Sequence, residues 1–376
     1  MWWRLRRFLF WTHLAAGVAA ALPLIVMCST GTLLMYERQT QAWMDRWGVK
    51  SHPPAPGAQA LDIESLIRKT HLARGVEPES ITVFAGANQP VQVNLNRTLG
   101  FFYADAYSGS AIGEPSAKTL QFFRRVTALH TSLGVTGGHR TRFKTLVGAV
   151  NVVVLFLTVF GIYLWIPRRW TWKHLRSITL LRPRLAGHAR DFNWHNSIGI
   201  WIVIPMLVIV WTGMAMSYRL ANQLTYLVAG TPNTQWRGGN AAAATEPAVP
   251  ASSLDALLAR AKRQSAQWRA ITMVLPHHHQ DPVDFAIDMS GYSAIGQSAA
   301  LELDRSGRVV VFTPAGSGGM PAQTFIRYGH TGEAWGVAGQ TIAGAASLGG
   351  AVLVWTGVAM SLRRFKRWLK GRTRAA

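Results

Sequence analysis

Hydrophobic residues are concentrated in four long runs that contain no Asp, Glu, Lys or Arg. The runs cover residues 8–36, 145–167, 196–218 and 334–362. A helix of about 20 residues crosses a bilayer core of about 30 Å, so each run is long enough to span a membrane. The pattern predicts a membrane protein, mainly α-helical, with four transmembrane helices.

Basic residues are concentrated in the segments that flank these runs on one side. Lys and Arg number 3 before Phe8, 7 within residues 168–190 and 7 from Arg363 onwards, against one acid, Asp191. Cytoplasmic segments are rich in Lys and Arg. We therefore expect a protein of the bacterial inner membrane with both termini in the cytoplasm and two lobes in the periplasm. This topology and the lipid bilayer account for the net charge of +22 without nucleic acid as a partner.

The first run allows two interpretations. The basic start followed by an apolar stretch is compatible with a cleaved signal peptide, but the run is long and no clear small-x-small site follows it. We therefore expect the first run to remain as a membrane anchor.

The chain divides into two halves with the same order of features, which predicts two tandem repeats. Aligning His13 with His195 superimposes, without a gap, Gly17 on Gly199, Pro23 on Pro205, Thr30-Gly31 on Thr212-Gly213 and Tyr36 on Tyr218. After each aligned span, a helical pattern (61–74 and 254–267) precedes three strand-like runs. Each exported segment is therefore predicted to be a small α+β lobe.

These patterns set the expected boundaries. They are the N-terminus and first span (1–36), the first lobe (37–127), an interfacial helix and second span (128–167), a basic cytoplasmic loop (168–194), the third span (195–218), the second lobe (219–326), the fourth span (327–362) and a basic tail (363–376).

Four histidines occupy matching places in the two halves. His13 lies six residues, about 9 Å, beyond Arg7, and His195 stands at the cytoplasmic start of the third span. His130 and His330 precede the second and fourth spans on the exported side. A neutral imidazole is a good iron ligand. We therefore expect one pair, His13 with His195, near the cytoplasmic face and a second, His130 with His330, near the outer face.

Two alternatives to these pairs stay open. A histidine in a membrane span is often only a hydrogen-bond donor between helices. His139 lies closer to the second span than His130 and competes with it as the outer ligand.

The sequence also limits the redox chemistry. The single cysteine, Cys28, excludes an iron–sulfur cluster and covalent haem attachment at C-x-x-C-H. No glycine-rich dinucleotide fingerprint follows a predicted strand. Electrons would therefore have to come from a separate donor, either a cytoplasmic reductase or membrane quinol.

Motifs around the histidines carry a family resemblance. They are His13 with Thr30-Gly31, Leu129-His130 with Gly161-Ile162-Tyr163-Leu164-Trp165, Arg190-Asp191-x-x-x-His195, and His330-Thr331-Gly332-Glu333-x-x-Gly336. Over nearly its whole length the chain resembles the PepSY-associated transmembrane family, and within it looks most like inner-membrane ferrisiderophore reductases. The resemblance implies PepSY-like lobes, two haem b groups with bis-histidine ligands, and a ferric siderophore as the electron acceptor. The other hypothesis is a non-enzymatic envelope protein whose lobes bind a peptide or protein partner.

Overall fold

The computed structural model describes residues 2–96, 99–167, 170–230, 252–276, 278, 281–290, 292, 297–316 and 322–373. The chain forms two units. The helical unit comprises Met1–Tyr36, Phe122–Asn233 and Pro321–Ala376, and the sheet unit comprises Glu37–Gln121 and Thr234–Met320.

The described residues contain twelve α-helices. They are α1 (Trp2–Ala19), α2 (Ala21–Leu34), α3 (Glu37–Arg46), α4 (Ile63–Arg74), α5 (Ala117–Ser132), α6 (Arg140–Trp165), α7 (Trp172–Thr179), α8 (Gly187–Ser217), α9 (Arg219–Ala229), α10 (Leu254–Gln264), α11 (Ala322–His330) and α12 (Gly336–Thr373).

Three stretches of the described chain are long and apolar enough to cross a membrane. They are Gly137–Trp165, Gly187–Ser217 and Glu333–Lys370. The first hydrophobic run forms a pair of helices, α1 and α2, bent by 68°. The membrane character expected from the sequence is therefore present, whereas the first run differs from the single helix that its composition suggests.

A proline explains the bend between α1 and α2. Pro23 has no N–H group to donate to the carbonyl of Ala19, and its ring crowds that carbonyl, so α1 ends at Ala19 and α2 begins at Ala21. Pro205 occupies the corresponding place in α8, yet that helix continues to Ser217. A proline thus marks a weak point in a helix, and packing decides whether it breaks there.

Glycines allow the long helices of the helical unit to approach closely. Helix α8 packs along α12 and α6, and α2 packs on α12. A Cβ atom at Gly349 would lie 3.0 Å from Ile202, and one at Gly350 would lie 2.9 Å from the sulfur of Cys28. Small residues commonly permit such close packing between membrane helices.

The sheet unit contains one antiparallel sheet of eight strands among its described residues. They are β1 (Ser80–Phe84), β2 (Val91–Asn94), β3 (Phe101–Ala104), β4 (Ala111–Gly113), β5 (Ala270–Val274), β6 (Val283–Asp288), β7 (Ser298–Leu303) and β8 (Val309–Thr313). Their order is β4-β3-β2-β1-β5-β6-β7-β8. Each half of the chain contributes four neighbouring strands, one more than its sequence pattern indicates.

The two expected lobes share this sheet. Strands β1 and β5 pair antiparallel, with Thr82 opposite Thr272 and their hydroxyl oxygens 2.8 Å apart. The first turns of α4 and α10 also exchange hydrogen bonds, from Ile63 N–H to Asp255 (2.9 Å) and from Leu254 N–H to Glu64 (2.8 Å). Pairing of β1 with β5 satisfies two strand edges that separate lobes would leave exposed.

An aspartate organises the last hairpin turn of each half. Asp105 accepts hydrogen bonds from the N–H groups of His52, Tyr107 and Ser108. Asp304 accepts hydrogen bonds from Ser306 and Arg308. Burial alone would raise the pKa of Asp304, but these hydrogen bonds outweigh it and lower the pKa to about 2.

We expect Asp304→Asn to destabilise the sheet unit by about 1–2 kcal/mol at pH 7. The pKa of Asp304 is lower in the folded chain than in the unfolded chain, so its carboxylate stabilises the fold above pH 3.8 and loses that effect as the pH falls towards about 2. The deficit of the variant should therefore shrink over this interval.

Urea midpoints from pulse proteolysis, with thermolysin at pH 7 and pepsin at low pH, measure this effect on the whole protein in detergent. The matched control is Glu77→Gln, which removes the same charge at an exposed residue. A deficit that stays constant down to pH 2 would contradict the assignment.

Candidate metal-binding histidine pairs

The helical unit brings His130 and His330 together. His130 lies in α5 and His330 is the last residue of α11. Their ring centres are 6.2 Å apart. With a metal–nitrogen bond of about 2 Å, two imidazoles on opposite sides of one ion have ring centres about 6 Å apart. This outer pair therefore has the spacing needed to hold one metal ion.

Each ring of the outer pair is fixed through Nδ1. Nδ1 of His130 lies 3.0 Å from the Thr30 hydroxyl and 3.1 Å from the carbonyl oxygen of Met27. Nδ1 of His330 lies 3.1 Å from the Thr212 hydroxyl and 2.9 Å from the carbonyl oxygen of Ile209. A carbonyl oxygen only accepts, so Nδ1 carries the proton in the neutral ring and Nε2 keeps its lone pair.

The environment of the outer pair favours the neutral form of both rings. Burial lowers the pKa of His130. Two charged imidazoles with ring centres 6.2 Å apart would repel each other. The neutral form, which is the one that binds a metal, is therefore favoured in this pair.

The other two histidines line one large cavity in the helical unit. His13 in α1 and His195 in α8 both face this cavity, which has a volume of about 1090 Å³. The upper end of the usual range for ligand pockets is about 1,000 Å³. The cavity is therefore large enough for a bulky ligand between these two rings, which we call the inner pair.

The two rings of the inner pair have different partners. Nδ1 of His195 lies 3.0 Å from the Thr356 hydroxyl, whereas Nδ1 of His13 is buried with no hydrogen-bond partner in the described part of the chain. Matching Gly161 to Gly357 places Phe160 at the position of Thr356. A phenyl ring cannot accept the hydrogen bond that a threonine hydroxyl accepts, so the inner pair is asymmetric.

A glycine lies against each of the four imidazoles. A Cβ atom added at Gly31 or Gly213 would lie 3.3 Å from Cε1 of His130 or His330, respectively. One added at Gly161 would lie 3.4 Å from Cε1 of His13, and one at Gly357 would lie 3.5 Å from Cε1 of His195. These glycines let each ring rest directly on the backbone of a neighbouring helix.

A buried ion-pair network borders the inner pair. Asp191, four residues before His195, is fully buried and bonded to the guanidinium groups of Arg190 and Arg363. The Arg190 guanidinium also lies over the rings of Trp194 and Trp355, at 5.6 and 5.2 Å. The network ties the start of α8 to α12 and so positions His195 beside Thr356.

Some of the sequence expectations about this region need adjustment. His139 is exposed, whereas His130 faces His330. Gly332, in the motif that follows His330, adopts a φ of +75° and packs on the backbone of Gly339, where a Cβ has no space. The sequence did not lead us to predict that Gly31, Gly161, Gly213 and Gly357 contact the imidazoles. The recurrence of Thr-Gly at residues 30–31, 212–213 and 356–357 was the available signal.

Comparison with known families agrees with this architecture. The family described as PepSY-associated TM region matches residues 10–364. The chain belongs to the PepSY-associated transmembrane family. A comparison with curated proteins found no match for the chain.

In this family member we expect His130, His195 and His330 to be protonated at Nδ1 when no metal is bound, because each Nδ1 faces an acceptor. His13 should lack this signature, and Phe160→Thr should supply it by placing a hydroxyl beside Nδ1. Nitrogen-15 NMR of histidine-labelled protein, assigned with single His→Gln variants, measures the protonation of each nitrogen. Protonation of His130 and His330 at Nε2 would contradict the proposed anchoring.

Proposed function

We propose that this protein is a di-haem b oxidoreductase of the bacterial inner membrane. It passes electrons outward from the cytoplasmic side or the quinol pool to a periplasmic ferric siderophore. The observation that carries this proposal is the outer pair of imidazoles, with ring centres 6.2 Å apart and each ring anchored through Nδ1. The inner pair, facing its own large cavity, supplies the second site.

Four membrane spans support this function. Counting the bent pair of α1 and α2 as one span gives four in the described chain, and the recurring sequence features favour a tandem repeat. The basic segments favour a topology with both termini in the cytoplasm and the sheet unit in the periplasm. Thr212, which contacts His330, lies 17 residues beyond His195 in α8, or about 25 Å along the helix. The two pairs are thus near opposite faces of a bilayer core about 30 Å thick.

The residues around the imidazoles fit a flat, bulky ligand. A Cβ atom at Gly31 or Gly213 would crowd the imidazole ring beside it, and one at Gly161 or Gly357 would touch the ring. The inner cavity is lined mostly by apolar side chains, which exclude water from the ligand. His13 with His195, and His130 with His330, would hold the two haem irons.

The chain's own groups then perform three tasks. When bound, haem supplies one-electron transfer. The histidines would hold the iron, and the acceptors at Nδ1 of His130, His195 and His330 orient these three rings and raise their basicity. The apolar helices keep the path between the sites dry. Reduction of the ferric chelate needs no proton from a side chain, because iron accepts only an electron.

The proposed substrate is iron held by oxygen ligands. One electron converts the chelated Fe(III) to Fe(II), which lowers the charge that the hard oxygen donors bind and so favours release. The chain contains no dinucleotide fingerprint, so a separate cytoplasmic reductase or membrane quinol supplies the electron.

One observation favours the non-enzymatic alternative. Strand β8 is at the edge of the sheet, and Val309, Val310 and Val311 are exposed there. An exposed apolar edge strand is a template for pairing with an extended peptide. The second candidate function is therefore peptide binding through β8, by a protein without haem.

The reduced-minus-oxidised spectrum of the purified protein tests the proposal. We expect about two haems per chain and the loss of about one in each of His13→Ala, His195→Ala, His130→Ala and His330→Ala. His139→Ala is the matched control, because His139 is exposed, and it should retain both haems. A colourless wild-type protein from haem-replete cells would reject the oxidoreductase and favour the alternative.

Substrate reduction is tested with the reduced protein and a ferric hydroxamate chelate. The haem spectrum should reoxidise while an Fe(II) indicator forms its coloured complex. The gallium(III) chelate has a similar charge and size but accepts no electron, so it should leave the spectrum reduced. Reoxidation by gallium would indicate an effect other than electron transfer to iron.

A further inference from the structure

Five arginines line the cavity of the inner pair. Arg4, Arg6 and Arg7 are near the start of α1, and Arg364 and Arg367 are near the end of α12. The lining contains no Asp or Glu among the residues that the structure describes. One side of an otherwise apolar cavity thus carries several positive charges and no negative charge.

Not all of these guanidinium groups are available to a ligand. Arg6 donates to the carbonyl oxygens of Leu164 and Ile166, at 2.8 and 3.2 Å. Arg364 lies 4.5 Å above the ring of Trp11, which fixes it and leaves its N–H groups as donors. Within the described ranges, Arg4 and Arg7 form no ion pair, and they lie one helical turn apart on α1.

The nearby acid does not neutralise these arginines. Asp191 is already bonded to Arg190 and Arg363. Like charges around a cavity of low polarity repel one another, and an anion among them would relieve the repulsion. The spacing also suits a ligand of the inner pair, because Arg7 is six residues from His13 and Arg364 is seven from Gly357, about 10 Å along each helix.

We propose that Arg4, Arg7 and Arg364 bind carboxylate groups of the molecule held by His13 and His195. This inference rests on the proposed function, in which the molecule is haem and the carboxylates are its two propionates. Guanidinium groups bind carboxylates through paired, charge-assisted hydrogen bonds. The anionic edge of the ligand therefore faces the cytoplasmic end of the cavity, and its apolar body lies among the helices.

An anionic phospholipid headgroup has the same charge chemistry, so the test must separate the two sources. The triple variant Arg4→Gln, Arg7→Gln, Arg364→Gln is compared with the control Arg176→Gln, Arg182→Gln, Arg184→Gln. The control removes equal charge from exposed arginines on the same side of the membrane. Both are made in the His330→Ala background, so that only the inner pair can retain haem, and are placed in nanodiscs.

The readout is the rate of haem transfer to excess apomyoglobin. The parent is the His330→Ala protein, and the cavity variant also carries the Arg4, Arg7 and Arg364 substitutions. We expect the cavity variant to release haem at least about 10-fold faster than the parent, and the control variant to release it at the rate of the parent. Loading the parent with haem dimethyl ester, which lacks both carboxylate charges, should accelerate release similarly. The cavity variant should no longer distinguish haem from its ester.

Each other outcome overturns the inference in a recognisable way. Equal release rates in the parent and the cavity variant would contradict contacts between these arginines and the carboxylates. Acceleration in both triple variants, or a rate that follows the phosphatidylglycerol content of the nanodisc, would assign the arginines to lipid. A wild type without haem would instead reject the proposed function, whereas two haems in the wild type with no effect of the arginines would reject this inference alone.

Discussion

A buried imidazole must satisfy its second nitrogen, and that requirement governs the arrangement of the helical unit. Thr30, Thr212 and Thr356 each donate their hydroxyl proton to a carbonyl of their own helix, so the oxygen can accept from a histidine on another helix. The glycine that follows each threonine admits the ring. Each Thr-Gly step, which we call a socket, therefore fixes the position, the tautomer and the orientation of the ring together.

The sockets also connect the helices in a defined order. His130 of α5 sits on α2, His330 of α11 on α8, and His195 of α8 on α12. Helix α8 therefore carries His195 and, 17 residues further along, the Thr212 that contacts His330. A shift of α8 along its axis would disturb both pairs at once, so the packing of this helix couples the inner and outer pairs mechanically.

The sequence predicts some levels of this structure better than others. Charge-free runs predict apolar helices because composition is local, and α6, α8 and α12 follow them. The pairing of β1 with β5 depends on contacts between distant segments. The bend at Ala20 does so too, because Pro205 stands at the matching place in α8 and that helix stays unbroken. The matching positions of the histidines predict two pairs, and the rings of His130 and His330 do lie side by side. The glycine beneath each ring could not be predicted in this way, because residues about 100 apart in sequence make that contact, as His130 and Gly31 do.

Phe160 gives the inner pair a difference that the outer pair lacks. A hydrogen bond donated by Nδ1–H increases the basicity of a metal-bound imidazole and fixes its plane, and His13 lacks this bond. His195 would then be the stronger and better oriented ligand, and His13 the weaker. Stronger donation from a ligand stabilises the more highly charged oxidation state of a metal. Under the proposed function, the identity of residue 160 would therefore set the inner site apart from the outer one, although each would have two histidine ligands.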